Sequence, residues 1–89
     1  MKETTVREGF GIVVLDRGFV YVGEVRIAGG WCRIEKASNI RVWGTTKGLG
    51  ELALDGPTDN TVLDEVGVVE APFHAVIHVI DTEAEKWQK

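Results

Sequence analysis

Apolar residues along this chain fall into short runs separated by glycine-bearing turns, with a period nearer two than 3.6. Gly11–Leu15 is a brief run rich in β-branched residues, closed by Asp16-Arg17-Gly18, where Gly18 is free to take positive φ. The clearest alternation follows in Phe19–Ile27. Phe19, Tyr21, Val25 and Ile27 share one face, and Val20, Val22, Glu24 and Arg26 share the other. These two runs predict a hairpin. Ala28-Gly29-Gly30 predicts a second turn and Trp31–Lys36 a third strand, in which Cys32 and Ile34 alternate with Arg33 and Glu35.

Downstream the pattern is more broken. Ala37-Ser38-Asn39 interrupts, and Ile40–Trp43 reads as a short fourth strand. Leu49, Leu52 and Ala53 stand at i, i+3 and i+4, and Gly56-Pro57 supplies a stop. A helix of about two turns is therefore predicted over Leu49–Asp55, docked on the sheet because so short a helix is unstable alone. Thr61–Leu63 and Val66–Glu70 are short strand candidates divided by Asp64-Glu65. The apolar Ala75–Ile80 reads as a central strand covered on both faces. The sum is a mainly β domain with about six or seven short strands and one short helix, a meander closing into a small barrel-like sheet. Sheet edges left open predict homo-oligomerisation through an edge or a face.

With 89 residues there is room for one domain, spanning 1–89, with 1–9 and 82–89 expected to be mobile or loosely docked. A chain this short buries only about 60–65% of its unfolded surface, so its core is thin. Hydrophobic residues at 44% and charged residues at 27% belong to a folded protein rather than a disordered one. The net charge of −4, with scattered basic residues, disfavours a phosphate-neutralising nucleic-acid binder. No stretch is long and apolar enough for a membrane span, and Met1–Phe10 has no apolar signal core, so a cytoplasmic location without a membrane partner is expected. A single cysteine, Cys32, excludes an internal disulfide and reads as a small apolar strand residue.

Few residues suggest chemistry. The segment Trp43, Gly44, Thr45, Thr46, Lys47, Gly48, Leu49, Gly50 joins a flexible backbone, two hydroxyls and one cation ahead of a helix start. It is a candidate site for an anionic small molecule or nucleotide, with Lys47 countering charge and Trp43 forming a wall. It matches neither the Walker A nor the dinucleotide-binding glycine pattern, and a tight strand-to-helix connection explains the same residues. His74 and His78 would stand about 13 Å apart on a strand, too far for one metal. Asp55, Asp59, Asp64 and Glu65 read as turn residues and solubilising charge. Trp31 and Trp43, on strands, are expected in the core, and Trp87, in a polar tail, is expected to dock on this domain or another chain. With Ser38 the only serine, no nucleophile–base set assembles, and neither catalysis nor a cofactor is expected.

The stretch Asn39-Ile40-Arg41-Val42-Trp43-Gly44-Thr45-Thr46-Lys47-Gly48-Leu49-Gly50-Glu51-Leu52 resembles a small family of bacteriophage and prophage proteins with no established activity. Gly56-Pro57-Thr58, Thr61–Asp64, Val66–Val69 and Ala75–Ile77 extend the resemblance over about the second half of the chain. It implies a mobile-element origin and a role in the phage–host encounter, and supplies no catalytic residue. The resulting expectation is a small protein-interaction module, a host-factor binder, inhibitor or adaptor. A binder of an anionic small molecule and a structural virion component are the alternatives.

Overall fold

A computed structural model describes residues 5–87. It holds one antiparallel sheet of five strands: β1 (Thr5–Leu15), β2 (Val20–Ala28), β3 (Trp31–Val42), β4 (Val62–Pro72) and β5 (Val76–Asp81). Helix α1 (Leu49–Asp55) lies between β3 and β4, and single 3₁₀ turns follow β1, β4 and β5. The strand order is β4-β3-β2-β1-β5, so the first four strands form a meander and the chain then crosses back to add β5 beside β1. Phe73 N–H donates to Gly30 O at 2.9 Å, pinning this crossover to the β2–β3 turn. That turn uses Gly29 and Gly30 at φ 59° and 81°, the positive pair that a two-residue hairpin of matching twist requires.

Five strands, four of them nine to twelve residues long, replace the expected six or seven short ones, and the sheet is open rather than barrel-like. Ala37-Ser38-Asn39 and Asp64-Glu65 do not end strands, because backbone irregularities absorb them. Lys36, at φ 51°, sits where β3 slips register against both neighbours, and Gly67, at φ 84°, lies opposite in β4. The helix spans Leu49–Asp55 as predicted, ending where Gly56, at φ 81°, donates its N–H to Leu52 O at 2.8 Å. The apolar Val76–Ile80 run is not central. It forms an edge strand with Ile77 and His78 exposed, not a strand covered on both faces. Of the ends expected to be loose, residues 1–4 and 88–89 lie outside the described residues. Residues 5–9 belong to β1, and the chain from Thr82 to Trp87 is anchored to the domain.

The core has two halves, one on each side of the sheet. On the inner, concave face Val13, Leu15, Val25, Ile27, Cys32, Ile34, Ala37 and Ala71 are buried together, with Tyr21, Val69, Val76 and Val79 packed at the margin. On the outer face Ile12, Val20, Val22 and Ile40 are covered by Leu52 and Ala53 of α1, with Leu49 and Trp87 beside them. Trp87 thus docks on its own domain, its indole N–H donating to Thr82 Oγ1 at 3.0 Å while that hydroxyl donates to Ala53 O at 2.6 Å. Trp31 and Trp43 instead stay outside both halves, at 54% and 42% exposure.

Gly23 sits where the β3 backbone comes very close to β2. A Cβ there would lie 2.7 Å from Glu35 O and 3.1 Å from Ala37 Cα, because the Lys36 irregularity presses β3 onto β2. We expect Gly23→Ala to lower stability by about 1–3 kcal/mol, read as a reduced urea midpoint with unchanged slope. Cys32 is fully buried, and burial pushes its thiol above the ordinary value. The thiol is neutral in both folded and unfolded chains below the ordinary value, and above it only the unfolded chain ionises, so stability falls as the solution turns alkaline. Cys32→Val should flatten that alkaline decline, measured as urea midpoints across pH.

Candidate interaction surface and the Gly/Thr loop

The segment singled out in the sequence leaves β3 at Val42 and reaches α1 at Leu49. Its hydroxyls and carbonyls are largely engaged internally. Thr45 Oγ1 donates to Gly48 O at 3.0 Å, and Thr46 Oγ1 reaches Glu51 Oε1 at 3.3 Å. The Glu51 carboxylate also accepts from Lys47 N–H at 3.2 Å, so the chain's own anion already occupies the entry to the helix. Lys47 itself is exposed, as is Gly50. The Trp43 ring passes beside Gly48, where a Cβ would meet it at 3.8 Å.

A threonine staple holds this loop to the start of β4. Thr58 Oγ1 donates to Gly44 O and Thr61 Oγ1 to Trp43 O, each at 2.7 Å, while Thr58 N–H donates to Thr61 Oγ1 at 2.8 Å. Gly44 is fixed by space as well as by its φ of 66°, since a Cβ would lie 2.4 Å from Asn60 C. The Trp43–Gly50 stretch is therefore a braced connection that leaves the cation of Lys47 exposed. Sequence reasoning assigned hydroxyls to a ligand without seeing Thr58, Thr61 and Glu51 as their surroundings. Fourteen to eighteen residues separate the Thr58–Gly44 and Thr61–Trp43 partners, so no local pattern reveals them.

A different surface stands open on the outer face. That face divides along the strands: α1 and Trp87 sheathe one half, and charge covers the other. Across four adjacent strands the register sets Glu8 beside Arg26, Arg26 beside Arg33, and Arg33 beside Glu70. The next row sets Phe10 beside Glu24 and Glu24 beside Glu35. Arg33 donates through Nε to Glu35 and through Nη1 to Glu70, both at 2.9 Å. These two hydrogen-bonded carboxylates raise the guanidinium above its ordinary value. Two arginines side by side would repel, and the flanking glutamates offset that repulsion. The rows floor a recess of about 650 Å³, and Trp31 lines a second hollow that shares Arg26 and Arg33 with the first. This surface was missed in the sequence. Its only signal was the polar half of the β2 and β3 alternation, which reads equally as a solvated face.

Elsewhere, His74 and His78 are both exposed, on the 3₁₀ turn before β5 and on β5 itself. Among the described residues no group of three or more His, Cys, Asp or Glu side chains could hold a metal ion. Among the described residues no helix is long and apolar enough to cross a membrane.

The staple makes a direct expectation. Thr58→Val should destabilise by about 1 kcal/mol, since it strands the Gly44 carbonyl, and Lys47→Ala by less than about 0.5 kcal/mol. Thermal unfolding of the two variants beside the parent chain checks the contrast. Comparison with protein-family models, curated proteins and solved structures gives no match to this chain.

Proposed function

We propose that this chain is a small protein-interaction module of phage or prophage type, which binds a host or phage protein and carries out no chemistry itself. The observation that carries the reading is the open half of the outer sheet face. There a half-exposed Trp31 stands at the end of a recess floored by Arg26 and Arg33. Tryptophan and arginine are the residue types that most often dominate protein interfaces, and Glu35 and Glu70 hold the Arg33 guanidinium by hydrogen bonds at 2.9 Å. The resemblance of Asn39–Leu52 to small phage and prophage proteins supports the same reading.

The alternative, an anionic small molecule held at Trp43–Gly50, rests on the exposed Lys47 and requires Glu51 to be displaced from the Lys47 N–H. Capture from bacterial lysate by the tagged full chain separates the two. On the interaction reading a single protein is retained, Trp31→Ala and Arg33→Glu each weaken its retention by about 10-fold or more, and Lys47→Ala leaves it intact. If native mass spectrometry of the purified chain instead shows a small anionic adduct that Lys47→Ala abolishes, the loop is the binding site and the sheet face is not.

A further inference from the structure

We propose that a second copy of this chain docks across the open β5 edge, through a patch centred on Phe73 and Ile77. The patch is apolar beyond what an edge strand needs. Ile77 is 61% exposed and Phe73 is 49% exposed, although both belong to the most apolar stretch of the second half of the sequence. β5 slips register against β1 between Val76 and His78, which places Ile77 at the irregularity. Beside it lies a recess of about 390 Å³, lined by Phe73, Val76, Ile77, Val79 and Ile27 of the inner core, with Arg7 and His78 as its two polar members.

A protruding side chain and a hollow on the same patch are what a two-fold interface requires, because the rotation seats each copy's Ile77 in the other's recess. Charge selects the same edge. Phe73–Ile80 contains no carboxylate, lysine or arginine, so two chains of net charge −4 can approach there without facing acids. Arg7 and Asp81, which border the patch, are tied to one another as an ion pair. The opposite edge is unsuited to self-pairing: β4 carries Asp64, Glu65 and Glu70, with positive-φ Gly67 in its middle.

Sedimentation velocity of the full-length chain between about 1 and 100 μM tests the proposal. The expected result is a concentration-dependent dimer. Ile77→Lys should weaken it by about 10-fold or more, and Val68→Lys on the β4 edge should leave it unchanged. Circular dichroism checks whether Ile77→Lys keeps its fold, and Phe73→Ser supplies a second variant with the same expected loss. A chain that stays monomeric over the whole range overturns the proposal and leaves the patch to a different protein. A dimer that survives both substitutions, or that Val68→Lys breaks, overturns it as well. Trp31→Ala should leave the dimer intact, so this result stands or falls separately from partner capture at the outer face.

Discussion

The fold depends on burying both faces of one small sheet. Ile12 and Val13 are neighbours in β1, point to opposite faces and are both wholly buried. A flat sheet of five strands cannot achieve this alone. The inner face is closed by curling, which brings Ala71 and Val69 of one edge strand and Val76 and Val79 of the other against the same cluster. The outer face is closed over only half its length by α1 and the segment that ends in Trp87. Burying a leucine such as Leu52 is worth about 1.5–3 kcal/mol, and together with Ala53 and Leu49 it docks a seven-residue helix that would not form alone.

This division explains where binding capacity lies. The sheathed half needs its cover for stability and is spent. The other half carries Arg26, Arg33 and four glutamates in cross-strand rows, so it tolerates water while Glu35 and Glu70 orient the Arg33 guanidinium. The same economy governs the Gly/Thr segment. Thr58, Thr61 and Glu51 hold it in place, and a braced loop is what α1 needs to sit squarely on Ile12 and Val22.

Local backbone freedom is placed where curvature demands it. Lys36 and Gly67 take positive φ on facing strands, and Gly23 leaves space for the displaced β3 backbone. Gly56 has a second duty besides ending α1. A Cβ there would lie 2.4 Å from Lys86 O, so the tail that ends in Trp87 can pass closely over the helix end only because a glycine stands there.

Elements whose signals are local are legible in the order of residues alone. The β1–β2 and β2–β3 turns, the two-faced alternation of β2, the limits of α1 and the inward placement of Cys32 all rest on residues within a few positions of each other. Periodicity, turn glycines and a helix stop are read at that range. Long-range packing set whatever depends on partners far apart in the chain. It carried β3 through Ala37–Asn39 and β4 through Asp64-Glu65, because cross-strand hydrogen bonds outweigh a few polar residues. It sent Val76–Ile80 to an edge although its composition suits a centre. It also aligned Glu8, Arg26, Arg33 and Glu70 into one row. Strand order and register set which face a residue shares, and those are properties of long-range pairing that no short window of sequence contains.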